Sequence, residues 1–257
     1  MQKSEKNGTN VDEKNMKLIE ETSKEWWDPY GIQIGLHAMN PLRIGFIRDG
    51  LISTGMIKAE DRNKTDVLKG IKILDVGCGA GVLTEGLGKL KAHVIGIDPS
   101  EELLNVAKDH IKGQSMNVKY IMEYIEEHSI NNSDKYDAVV ASEVVEHVPD
   151  PKALILEMVK CVKPNGSIFI TTPNRTYISW ITTIIAEQLK FLQKDSHDWN
   201  QFVTHSEVED ILKEKNCKTV SVRGTIYYPF FNKFTFFPYN GMHYFLHAVK
   251  QDSKKQK

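Results

Sequence analysis

The sequence predicts an α/β fold built on a Rossmann-like, doubly wound sheet of seven strands, the last of them antiparallel. Three observations carry that expectation. From residue 71 onward, short apolar runs alternate with helical stretches, the pattern of parallel strands joined by crossover helices. The first run closes on a glycine-rich turn, Gly77-Cys78-Gly79-Ala80-Gly81, where the main chain can approach a ligand closely. The second closes on an acid, Asp98, at the carboxyl edge where such sheets bind ligands.

The elements follow in order. Residues 1–15 read as a disordered tail, polar and without period. Residues 16–70 read as an N-terminal helical extension: a helix over 16–27, an aromatic turn over 26–31, a helix over 44–51 and a charged connector over 58–69. The domain proper spans 71–250. Its strands are predicted at 71–76, 93–97, 118–122, 136–141, 166–171, 218–226 and 243–249, and its helices near 81–90, 100–112, 151–162 and 204–215. The last two strands have no helix between them, which permits antiparallel pairing. A helical insertion after the fifth strand, 173–203, breaks the alternation. There Trp180, Ile181, Ile184, Ile185, Leu189 and Leu192 fall on one helical stripe.

At 257 residues, the chain suits one α/β domain with decoration. Its net charge of -1 gives no global pull toward nucleic acid or anionic lipid. Cys78, Cys161 and Cys217 lie far apart, so neither a disulfide framework nor a zinc knuckle is indicated. No apolar run is long enough to cross a bilayer. Glu5, Asp12 and Glu13 argue against an intact mitochondrial presequence, which is poor in acids.

The loop reads Gly-x-Gly-x-Gly rather than the Gly-x-Gly-x-x-Gly of dinucleotide sites. Asp75 lies inside it. An acid there suits a cationic ligand end and repels a pyrophosphate. S-adenosylmethionine carries a sulfonium and an ammonium and no phosphate, whereas NAD carries two. Asp98, at the end of the second strand, can accept both ribose hydroxyls. Gly77, Gly79 and Asp98 are therefore read as cofactor-binding, together with Asp75. The blander alternative is a tight strand–helix turn, with Asp98 capping the next helix.

After the fourth strand comes Ser142-Glu143-Val144-Val145-Glu146-His147-Val148-Pro149-Asp150-Pro151. If this turn is helical, Glu143, Glu146 and His147 share a face. Two carboxylates and an imidazole can hold a divalent cation with open positions. A phenol has a pKa of about 10, and a cation would favour its phenolate. Without one, His147 or a neighbour would serve as general base. His147, Glu143 and His37 are the catalytic candidates. The alternative is that the segment merely lines a pocket and caps the helix at 151. His197, His205 and His243 stand out only by residue type. Thr204-His205-Ser206-Glu207 reads as a helix N-terminus with a capping acid.

Seven strings occur in series: Trp26-Trp27-Asp28, Leu36-His37-Ala38-Met39-Asn40-Pro41-Leu42-Arg43, the loop at 74–81, Gly96-Ile97-Asp98-Pro99, the segment 142–151, Thr171-Thr172-Pro173-Asn174-Arg175 and His197-Asp198-Trp199. Together they resemble the O-methyltransferases of ubiquinone (coenzyme Q) biosynthesis, and the mitochondrial branch in particular. The resemblance spans roughly residues 16–249. It implies the class I S-adenosylmethionine-dependent methyltransferase fold, and methyl transfer to phenolic hydroxyls of polyprenylated dihydroxybenzoate and demethylubiquinol. It carries cofactor contacts onto Arg43, Gly77, Asp98 and Ser142, and a divalent cation, usually Mg2+, onto Glu143, Glu146 and His147. It also implies peripheral attachment to the matrix side of the mitochondrial inner membrane, within a complex of ubiquinone-biosynthesis proteins. Ala80 stands where the family has glycine, and Asp195-Ser196-His197 where it has Gly-Thr-His.

On that resemblance, the apolar stripe of 173–203 is expected to lie in a bilayer interface and admit a prenyl tail. The alternative is packing on the sheet or on a partner. Two other functional readings stand beside the main one: a methyltransferase for another small hydrophobic acceptor, and a non-catalytic S-adenosylmethionine-binding subunit.

Overall fold

The protein is described from a computed structural model that covers residues 10–12, 16–17, 20–28, 30–31, 33–176, 179 and 201–252. The strands are β1 (Lys72–Val76), β2 (His93–Asp98), β3 (Val118–Met122), β4 (Tyr136–Ser142), β5 (Val162–Pro173), β6 (Cys217–Tyr228), β7 (Lys233–Phe237) and β8 (His243–Lys250). The helices are α1 (Ile34–Ser53), α2 (Val82–Lys89), α3 (Glu101–His110), α4 (Ile125–Asn131), α5 (Pro151–Cys161) and α6 (His205–Glu214).

All strands join one sheet in the order β3-β2-β1-β4-β5-β8-β6-β7. β1 to β5 are parallel, and β8 runs antiparallel between β5 and β6. The seven predicted strands are all present. The eighth, β7, extends the edge as a hairpin with β6.

Alternation along the strands feeds two cores. Leu74, Val139, Ile168 and Ile170 point to one face, where Ile155 and Met158 of α5 and Leu212 of α6 meet them. Ile73, Val140 and Phe169 point to the other, covered by Phe46, Ile47 and Leu51 of α1 and Leu87 of α2. This doubly covered sheet is why its strands read as apolar runs. α1 lies close to the sheet: a Cβ on Gly50 would stand 2.5 Å from the Phe169 ring.

Four local predictions need adjusting. The helix predicted over 16–27 gives way, from residue 21 on, to turns and a 3-10 turn at Ser23–Glu25. The helix predicted over 44–51 begins ten residues earlier, at Ile34. Pro41 sits inside it and marks a false boundary, because proline disfavours a helix interior; Asn40 Nδ2 ties this turn to the carbonyl of Val82 at 2.8 Å. α4 is absent from the sequence expectation. Its stretch has little apolar period, with Ile125 buried but Ile130 77% exposed. The connector 58–69 is charged, yet it plants Val67 and Leu68 in the core. By contrast, α6 carries the expected capping box, with Thr204 and Glu207 exchanging bonds.

Candidate active site

The strand order reverses between β1 and β4, and a cavity of about 150 Å³ opens at their carboxyl ends. Gly77, Asp98, Glu143, Val144 and His147 line it, with Trp26 from the N-terminal extension.

The glycine turn has a physical reason for each glycine. Gly77, Gly79 and Gly81 adopt φ of 66°, 54° and 87°, where L side chains are strained. A Cβ on Gly79 would stand 2.6 Å from Trp26, and one on Gly81 would stand 2.1 Å from the Tyr120 hydroxyl. Asp98 fastens the turn. Its Oδ2 accepts from Gly79 N at 2.8 Å and its Oδ1 from Ser100 N at 2.9 Å. Burial pushes its carboxyl up to about 6, against the pull of those two bonds.

Asp75 sits in the loop as expected but is 2% exposed and outside the cavity wall. It accepts a 2.5 Å bond from Thr84 Oγ1. Burial also raises it to about 6, while Thr84 and Arg43 oppose the shift. Arg43 reaches in from α1. It donates to Ser142 Oγ at 3.0 Å, to the Leu36 carbonyl at 3.0 Å and to Asn40 Oδ1 at 3.2 Å. Its Nε has no hydrogen-bond acceptor among the described residues. Burial lowers its pKa, while Glu143 and Asp75 favour its charge.

The end of β4 is not the regular helical turn that would align Glu143, Glu146 and His147. Glu143 has φ 58°, and only Val145–His147 form a 3-10 turn. Glu143 accepts from Thr171 Oγ1 at 2.7 Å and faces His243 Nε2 at 2.9 and 3.0 Å. Burial works against its charge, but His243, Thr171 and Arg43 outweigh it and hold the carboxyl down at about 2. Glu146 is buried, with Oε2 accepting from Thr172 Oγ1 at 2.8 Å. Its Oε1 has no hydrogen-bond partner among the described residues and lies 4.0 Å from His147 Nε2. Burial and then the Glu143 charge push Glu146 well above the usual carboxylate range. Among the described residues, no three His, Cys, Asp or Glu side chains are grouped as metal ligands.

His37 is set apart from the cavity wall. Its Nε2 pairs with the Trp26 carbonyl at 2.7 Å. His243, singled out in the sequence only by residue type, is the principal partner of Glu143, and Thr225 Oγ1 holds its other nitrogen at 3.0 Å. No spacing rule could reveal this, because β8 reaches β4 only through the sheet.

The N-terminal extension covers the cavity. Trp27 Nε1 donates to the Ala80 carbonyl at 3.0 Å, and its ring stacks on His110 at 3.5 Å. Glu20 accepts from Ser100 at 2.6 Å. Asn10, predicted to lie in a tail, exchanges two bonds with the Asp150 backbone, at 2.6 and 2.7 Å.

Fold and cavity define a class I S-adenosylmethionine-dependent methyltransferase. The family described as "Methyltransferase domain" matches residues 53–222. The solved magnesium protoporphyrin IX methyltransferase of Synechocystis PCC 6803, with bound SAH, superposes with a TM-score of 0.60 at 16% identity, covering 92% of this chain and all of that one. The ubiquinone biosynthesis O-methyltransferase, mitochondrial, of Rattus norvegicus is 38% identical over 93% of this chain and 70% of its own length. The ubiquinone biosynthesis O-methyltransferase of Escherichia coli O81 is 34% identical over 93% of this chain and 95% of its own. The chain belongs to the ubiquinone biosynthesis O-methyltransferase family.

Proposed function

We propose that the chain methylates phenolic hydroxyls of polyprenylated rings, dihydroxybenzoate and demethylubiquinol intermediates of ubiquinone synthesis. The observation that carries this is the meeting of two features on one cavity: the Asp98 loop on β1 and β2, and the Glu143–His147 segment on β4. Asp98 and the Gly77 and Gly79 backbone hold the cofactor's nucleoside. Arg43, with its unpartnered Nε and Ser142 beside it, offers a cation to the cofactor's carboxylate. Asp75 acts from behind the loop.

A phenol ionises at about pH 10, so the acceptor must lose its proton at the site. Glu143, Glu146 and His147 would hold a divalent cation, with Mg2+ the expected ion. The donor types suit it, and the orphaned Glu146 Oε1 is a buried anionic acceptor in want of a partner. Such a cation supplies stabilisation of the phenolate. His147, on the cavity wall, is the group placed to take the proton otherwise.

Methyl transfer to a short-chain prenylated dihydroxybenzoate, with and without chelator, tests both halves. Turnover that stops in chelator is expected. Turnover that persists points to a metal-free general base, and no turnover on any catechol acid overturns the reading. The proposed setting is the matrix face of the mitochondrial inner membrane, beside other ubiquinone-biosynthesis proteins. The apolar stripe of 173–203 would contact lipid; its residues 180–200, including His197-Asp198-Trp199, lie outside the described residues. Flotation with liposomes should weaken on Ile184→Glu/Ile185→Glu, and unchanged flotation would sink that role.

A further inference from the structure

Beyond Thr225, the β6–β7 hairpin takes no part in the candidate site, and its tip is bare. Phe230 is fully exposed and Phe231 is 79% exposed, with Tyr228 and Tyr239 nearly half exposed behind them. The tip is rigid. Asn232 closes the turn at φ 43°, and the Tyr227 hydroxyl donates to Asn232 Oδ1 at 2.8 Å. Below it, Phe234 and Phe236 pack into the core, and Arg223 sits 3.7 Å over the Phe236 ring. The sheet therefore holds two phenylalanines out in water on a braced stalk.

Position and charge point to the occupant. β8 begins at His243, opposite Pro173 at the carboxyl end of β5, the edge where the cavity opens. β6 runs parallel to β5 and continues four residues past Gly224, its last residue paired with β8. At ~3.3 Å per residue, that overhang is about 13 Å. The phenylalanines thus project from the same end of the sheet as the cavity. From Ile226 to Met242, the sole charged residue is Lys233, and there is no acid. Such a tip presents apolar rings first, with Tyr228 and Lys233 paired on the rung behind them: rings suited to acyl chains, then an aromatic and a cation at headgroup level.

We infer that the hairpin tip, Phe230 and Phe231 with Lys233 behind, inserts into an anionic lipid surface and presents the cavity edge to it. This rests on the lipid-tailed acceptor proposed above, and it assigns contact to a second segment besides 173–203.

The test is cosedimentation of the full chain with vesicles of phosphatidylcholine and phosphatidylglycerol in equal parts. Phe230→Ser/Phe231→Ser should bind roughly tenfold more weakly or worse, while Phe230→Trp/Phe231→Trp should bind as the parent does. Methyl transfer to a tail-less dihydroxybenzoate should be equal in all three. Equal vesicle binding by the serine variant overturns the inference. So does a parent chain that ignores vesicles, which would point to a protein partner. Because binding is read without turnover, inactivity on catechol acids would refute the acceptor and leave the hairpin result intact.

Discussion

At the scale of single residues, the site is dominated by buried acids held in opposite states. Asp98 has its carboxyl raised to about 6 by burial. A raised acid binds its proton in the folded state, so this burial destabilises the protein as pH rises from the unfolded value near 4 through 6. Asp98→Asn relieves that charge but turns one accepting oxygen into a donor facing a main-chain N–H, so the Tm of the free protein at pH 7 should change little while S-adenosylmethionine binding weakens by about tenfold or more in calorimetry. The parent's cofactor affinity should fall as pH drops below about 6, and the profile of the Asp98→Asn variant should stay flat. Glu143 has the reverse sign. With its pKa held at about 2, its contribution is present above the unfolded value near 4.5 and is lost as pH falls toward 2. His243→Ala should abolish much of that contribution and lower Tm by several degrees near pH 7. An unchanged melt there would show that Thr171 and Arg43 suffice.

At the scale of elements, the Thr204–Glu207 capping box and the glycine turn can be separated by experiment. Thr204→Ala removes one cap bond and should cost about 1 kcal/mol with turnover intact. Gly79→Ala instead drives a methyl toward the Trp26 ring, 2.6 Å away, at φ 54°. It should release the Trp26 segment to protease and weaken cofactor binding; equal cleavage rates would refute the coupling. These elements were unequally legible. The strands of the parallel half declared themselves because Ile73 and Leu74 serve opposite cores and both must be apolar. α6 was legible from a capping pair three residues apart. α1 was foreshortened because Pro41 carries a strong local bias that tertiary contacts override: Asn40, Arg43 and Gly50 each engage another element. Glu143, Glu146 and His147 were visible as types, but their arrangement depends on a left-handed backbone at Glu143 that no periodicity predicts.

At the scale of the whole molecule, the N-terminal extension and the sheet form one site. Asn10 binds the segment entering α5, Glu20 binds the second residue after Asp98, and Arg43 reaches the end of β4. Removal of residues 1–12 should raise the Kd for S-adenosylmethionine severalfold with little change in Tm, since those contacts are few and lie at the surface of the cavity. An unchanged Kd would show that the covering begins at Glu20. His243 and Thr225 add the far edge of the sheet to the same centre, and their distance in sequence from Glu143 explains why only the folded chain connects them.

The stacking of Trp27 on His110, 3.5 Å between ring centroids, with Trp26 against Gly79 on the neighbouring turn, gives the molecule an optical gauge of its own. Two indoles flank the candidate site, one on the cavity wall and one bonded to the glycine turn. Occupancy should be readable from native fluorescence, without a label.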